Sequence, residues 1–239
     1  MRKIRILILF ITITGCTSYK LNLAFSLIGI YNDEVKVSKL TNNEKEVLFI
    51  PMHHIGTKSF YADVNKKVDS LENLGYYFYT ERLITTKDDT ISFLKLRKIT
   101  GVPFSQKKIG YLRIFDSVYE GKIKYKKELI DQPLYKDMGI DSLKSKNVDV
   151  TTSALIHYYE TKYGEIKLEK CEYETTMDKK SKCYGKPVNK KKASDAIVTF
   201  RNAHIIDELK NDTHQKIAII YGANHFIGIK EELLKLGYK

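Results

Sequence analysis

The chain has no tryptophan, only four prolines and three cysteines in 239 residues, and no apolar run long enough to cross a bilayer stably. Each shortage excludes something. Without tryptophan, and with 17 tyrosines scattered along the sequence, the aromatics carry no specific ligand signal. Proline is scarce and Gly/Ser-rich tracts are absent, so no low-complexity linker divides the chain into two domains. No histidine lies near the two later cysteines, which speaks against a zinc-binding cluster there.

What is there begins with an address. Arg2, Lys3 and Arg5 precede the short apolar run Ile6 to Ile13, the layout of a signal peptide over residues 1–15. Ile13-Thr14-Gly15-Cys16 resembles a bacterial lipobox. That resemblance implies that Cys16 is lipidated and becomes the first residue, with enough acyl chains for stable attachment. Thr17 in place of aspartate favours the outer membrane, so the expected location is the bacterial cell envelope, lipid-anchored. Basic residues outnumber acidic ones, 41 to 29, for a net charge of +12. An exported protein meets little nucleic acid, so the excess reads as a solvated, lysine-rich surface with a mild pull toward anionic envelope polymers. Cys171 and Cys183 remain, and two cysteines in an exported protein read as a disulfide.

Two similar units frame the rest. Near the end, Ile217 to Tyr221 is continuous and rich in branched residues; Gly222-Ala223-Asn224-His225 turns the chain into a helix that stops at Leu236-Gly237-Tyr238. Near the start, Val47 to Ile50 leads through Pro51-Met52-His53-His54 into a helix with Tyr61, Val64, Val68 and Leu71 on one face, stopping at Leu74-Gly75-Tyr76. Short continuous apolar runs of this kind suit strands buried on both faces of a parallel sheet. Tyr76 to Tyr79 reads as a third strand and Val148 to Val150 as a fourth, with short strands or a helix lead-in at Ile109 to Ile114 and Ile123 to Tyr125. Asp88 to Ile99 and the stretch from Thr151 to about Tyr163 read as helices. Residues 16–45 read as lipidated cysteine, tether and N-terminal segment, with Leu21 to Tyr31 as an edge strand or hairpin. The polar section at about 165–192 reads as a surface insertion holding the cysteine pair. The expected fold class is α/β: a single domain over 46–239, its mostly parallel central sheet flanked by helices.

His54, Glu81 and His225 each follow an expected strand, and residues at the C-terminal ends of neighbouring parallel strands meet along one edge. Two imidazoles and a carboxylate suit a divalent metal with an open position for water. Arg201 sits on a helix capped by Ser194-Asp195, beside a stripe of Ala193, Ala196, Ile197, Phe200, Ala203 and Ile206. An arginine at the edge of an apolar face either snorkels to water or reaches a buried anion. In a site it would hold an oxyanion or a substrate carboxylate. His53, Asn202 and Asn224 stand behind these as supporting groups; His157, His204 and His214 are given no role.

The pattern Arg201-Asn202, then a strand, then Gly222-Ala223-Asn224-His225 and Gly228 resembles the end of the TraB/PrgY/GumN–Tiki family. That family carries two G-x-x-H motifs near its ends, a glutamate after the strand that follows the first, and an arginine before the second. The order His54, Glu81, Arg201, His225 matches it. The first motif departs, with Pro51 where the family has glycine. The resemblance implies a fold similar to the erythromycin-esterase and ChaN group, with the active site at the C-terminal strand ends. It also implies a Mn, Co or Zn ion held by His54, Glu81 and His225, and hydrolysis of a peptide or small amide. The alternative on the same scaffold is an envelope lipoprotein that binds peptide, haem or metal without turnover. A third reading, an adhesion or structural protein, would use the cysteine loop as its working surface.

Overall fold

The computed structural model describes residues 12–85, 90–103, 110–177, 179, 183 and 188–239. Residues 1–11 of the expected leader lie outside the described residues, as does the side chain of the expected lipidation site, Cys16. Among the described residues no helix is long and apolar enough to cross a membrane.

A mixed sheet of five strands organises the domain. In chain order its strands are β1 (Ser38–Thr41), β2 (Glu46–Met52), β4 (Tyr77–Thr80), β6 (Ser145–Asn147) and β7 (Lys216–Gly222); β3 (Ile55–Gly56) and β5 (Ile130–Asp131) form a separate antiparallel pair. The order across the sheet is β1-β2-β7-β4-β6. Only the edge strand β1 runs antiparallel to its neighbour. The central place of β7 follows from its sequence. Ala218 and Ile220 face one layer, with Leu48, Ile50 and Phe78, against helix α2 (Lys58–Asn73). Ile217, Ile219 and Tyr221 face the other, with Val47, Phe49 and Tyr79. That second layer packs on α8 (Arg201–Asn211) and α9 (Phe226–Lys235). A strand whose residues are apolar on both sides is stable only where helices cover both sides, at roughly 1.5–3 kcal/mol for each large side chain buried.

The two framing units form as expected. Helices α2 and α9 end identically: Gly75 and Gly237 take φ of +81° and +83°. Tyr76 N–H and Tyr238 N–H then reach back to Leu71 O and Leu233 O. That closure requires a left-handed residue, which glycine adopts without Cβ strain.

Other segments differ from expectation. Leu21 to Tyr31 is no strand: α1 (Thr12–Leu27) is a helix, and Phe25 packs with Ile30, Tyr31, Ile55 and Leu129. Within the stretch before residue 46, α1 from Leu21 onward and β1 pack onto the body. The strand expected at Val148–Val150 comes three residues earlier, as β6, which leaves Asp149 just past its end. Pro51 lies inside β2, opposite Tyr221 and beyond the reach of β1, where a missing N–H costs little. The turn is His53-His54 alone. Tyr111–Val118 is helix α4, its N-terminus capped from a distance by Asp131, which accepts from Leu112 N–H at 2.9 Å. The expected helices α3 (Thr90–Thr100) and α5 (Thr152–Tyr163) are present, the latter capped by Thr151.

The cysteine section is less superficial than its polarity suggests. Cys171 and Cys183 are disulfide-bonded, with 5.5 Å between their Cα atoms. Beside them α6 (Lys170–Glu174) carries Glu172 into the interior, where it pairs with the fully buried Arg97 of α3. Arg97 also donates to Glu172 O, Thr175 O and Thr176 O.

The helix bearing Arg201 begins at α7 (Lys190–Ser194), capped by Asn189 and not by Ser194-Asp195. Asp195 instead accepts from Tyr158, Tyr163 and Lys162. Between α7 and α8, residues Asp195–Phe200 form a π-helical segment. Its wider i→i+5 turn shifts the phase of the helix by about one residue. Ala196 and Arg201, five apart, both face inward, and the buried face continues as Asn202, Ile205, Ile206 and Leu209. Ala203, expected on the packing stripe, is exposed for the same reason.

Candidate functional site

All four parallel strands deliver a polar residue to the same edge. His54 follows β2, His225 follows β7, Glu81 follows β4 and Asp149 follows β6. Above them opens a cavity of about 530 Å³. Glu81, Arg201 and His225 form its floor, and His53, His54 and Asn224 also line it. Its walls are apolar: Phe25, Ile28 and Ile30 from the end of α1 and beyond, Ile114, Phe115 and Val118 from α4, and Ile197 and Val198 from the π segment.

Arg201 is the centre of the floor. It is buried, and it does not snorkel. Its Nε donates to Asp149 Oδ1 at 2.8 Å and its Nη2 to Asp149 Oδ2 at 2.6 Å, a two-point fork. Nη2 also reaches Glu81 Oε1 at 2.6 Å and Tyr221 Oη at 2.9 Å. Nη1 has only long contacts, 3.4 Å to Ile197 O and 3.4 Å to His225 Nε2. One edge of the guanidinium is thus pinned by short bonds, and the other is held only by these long contacts. Asp149 and Tyr221 were not singled out from sequence, yet they hold this arginine. The available signal was a lone aspartate between two valines in a segment otherwise fit for burial.

Glu81 is fixed as firmly. Its Oε2 accepts from Gly222 N–H at 2.6 Å, and its own backbone N–H and C=O both pair with Tyr135 Oη. A Cβ on residue 222 would lie 3.1 Å from Oε2, so the glycine permits the close approach.

His225 is buried and locked in one tautomer. Asn202 Nδ2 donates to His225 O at 3.3 Å, which turns Asn202 Oδ1 toward His225 Nδ1 at 2.7 Å. The oxygen can only accept, so Nδ1 carries the proton and Nε2 presents a lone pair. Burial, then the charge of Arg201 and of His54, push the His225 pKa down to about 3. The ring is neutral at physiological pH. Gly228 makes room for this arrangement, because a Cβ there would come within 2.4 Å of Asn202 Nδ2.

The remaining expected residues are placed more loosely. His54 is exposed at the rim, its ring stacked on Tyr111 with centroids 4.2 Å apart. His53 lies beside Phe60, and burial followed by the neighbouring His54 lowers its pKa. Asn224 is exposed at the cavity wall.

A resident metal does not fit this arrangement as it stands. His225 Nε2 is the right tautomer for a ligand and lies 3.9 Å from Glu81 Oε1. However, the cationic position against Glu81 is taken by Arg201, and the same guanidinium faces Nε2. Among the described residues, the one trio of His, Cys, Asp or Glu with donor atoms all within 4.8 Å is Glu169, Cys171 and Cys183. Those sulfurs are joined to each other and offer no thiolate unless reduced. No protein-family model, curated protein or solved structure matches the chain, so the resemblance to the TraB/PrgY/GumN–Tiki family rests on the sequence pattern alone.

Proposed function

We propose that this chain is an envelope lipoprotein, anchored through Cys16, that hydrolyses an amide or ester whose apolar portion fills the cavity. The observation that carries the reading is the half-committed Arg201. One edge is fixed by Asp149 and Glu81, and the Nη1 edge, held only by long contacts to Ile197 O and His225 Nε2, stands beside the unprotonated ring nitrogen of a buried histidine. A fixed donor in a water-poor site is suited to a carbonyl oxygen as it gains charge. His225 Nε2 and Glu81 would orient the attacking water, with Glu81 the group to take its proton. His54 at the rim would supply a proton to the leaving group.

The test is turnover of 4-nitrophenyl acyl esters and acyl-peptide anilides of graded chain length, with and without added Mn²⁺, Co²⁺ or Zn²⁺. Wild type is compared with Arg201→Lys and His225→Ala, with circular dichroism confirming that each is folded. Hydrolysis lost in both variants supports the reading. Equal hydrolysis in folded His225→Ala overturns it. Stoichiometric metal that disappears in His225→Ala would restore the metal-dependent form. A second reading, ligand binding without turnover, is favoured by one observation: both oxygens of Glu81 are already engaged by Arg201 and Gly222. Saturable retention of these esters without product would select it.

A further inference from the structure

We propose that the outer face of α1 and the mouth of the cavity form one membrane-contact surface, so that the cavity opens onto the lipid bilayer. This goes beyond catalysis and rests in part on the anchor reading of Cys16. Three observations converge. First, Tyr19, Leu23 and Leu27 recur at i, i+4 and i+8 on α1 and are 70%, 49% and 78% exposed. An apolar stripe turned to water on a helix whose other face is packed is the pattern of an interfacial helix. Second, the stripe runs into the cavity mouth. Ile28, the next residue, lines the cavity and is exposed, and so are Val102, Tyr111 and Val118 around the rim. Third, cations flank the stripe. Asn22 Nδ2 donates to Lys124 O at 2.7 Å, so the segment carrying Lys122, Lys124 and Lys126 runs along α1. All three lysines are exposed, as is Lys20 on the helix itself. Lys122 is paired with Glu120, but Lys20, Lys124 and Lys126 leave apolar side chains with cations along one flank, which suits a bilayer with anionic headgroups.

The occupant is a bilayer and not a second protein because of where the helix begins. Cys16 lies about two turns upstream of Leu23 on the same helix, so a lipid there would deliver α1 to the membrane surface. The apolar walls of the cavity then face the phase that holds apolar chains, and a ligand could enter without crossing water.

The lack of tryptophan makes a direct test available. Single tryptophans are placed in the full chain as Leu27→Trp on the stripe, Val118→Trp on the rim and Leu143→Trp as a control. Leu143 is 87% exposed next to the start of β6, at the opposite edge of the sheet from the cavity. Each is mixed with phosphatidylcholine vesicles containing phosphatidylglycerol, with or without bromine on the acyl chains. The expected result is blue-shifted, bromine-quenched emission at positions 27 and 118 and water-like, unquenched emission at 143. Water-like emission at position 27 overturns the proposal whether or not the chain hydrolyses anything. Quenching at all three positions also overturns it, since no face would then be selected. The mass of the N-terminal peptide reports Cys16 lipidation separately, so failure of the anchor is distinguishable from failure of the surface.

Discussion

Replacing Asp149 by asparagine should cost more stability than the matching change at Glu81, the other carboxylate that holds Arg201. The Asp149 side chain has no solvent exposure and accepts two of the guanidinium bonds of Arg201. It also accepts from Val150 N–H at 2.8 Å. Asparagine is nearly isosteric, but its amide N–H₂ would confront an Arg201 donor. Breaking a buried pair by removing one partner costs about 3–5 kcal/mol, because the surviving charge is left in low dielectric. Glu81 still holds Nη2, so the lower end applies, about 3 kcal/mol. That is a large share of the roughly 5–15 kcal/mol that holds a typical domain folded. Urea unfolding at pH 7 reads it directly. Glu81→Gln is the comparison: Glu81 is 12% exposed and water can replace it, so about 1 kcal/mol is expected. Adding Arg201→Met and Glu81→Gln together to Asp149→Asn should recover part of the loss, since no charge then remains unpaired. If Asp149→Asn costs less than about 1 kcal/mol, or less than Glu81→Gln, then Arg201 is not anchored as described.

Other expectations follow from the same geometry. His225 titrates near 3 when folded and near 6.5 when unfolded, so the unfolded chain binds the extra proton between those values. Stability should be flat in this group's contribution above pH 6.5 and fall by about 2 kcal/mol on the way to pH 5, a slope that His225→Gln should remove in paired urea titrations. Gly228→Ala should displace Asn202 and lower stability by about 1–3 kcal/mol, with loss of any ester hydrolysis; unchanged stability and turnover would mean that the Asn202–His225 pair is not needed. Reducing the Cys171–Cys183 bridge should cost about 3 kcal/mol and lower the melting temperature, and a Cys171→Ser/Cys183→Ser variant should match the reduced protein.

The parts legible in the sequence were those whose signal is local. β7 and α2 announce themselves by an unbroken apolar run and a helical stripe, and Gly75 and Gly237 by where those helices must stop. The parts that were not legible depend on contacts between distant residues. Arg201 required a buried anion, and Asp149 required a buried cation, but 52 positions separate them and neither names the other. Leu21 to Tyr31 has strand-like composition and is helical through Leu27 because Phe25 finds a packing partner in Phe115 of α4. The widened turn before Arg201 has no local sequence signal at all. It is visible only as a change in which residues are buried.

That turn also bears on how such a site could arise or disappear. A π-helical turn is equivalent to one residue added to an α-helix. Removing one residue from Asp195–Phe200 would return the helix to regular winding and rotate everything before it by about 100° relative to Arg201. Either the packing of Ala193 and Ala196 or the burial of Arg201 would have to be given up, while every strand kept its place. A single codon gained or lost in this helix therefore separates an ordinary structural scaffold from one that carries an inward-facing guanidinium.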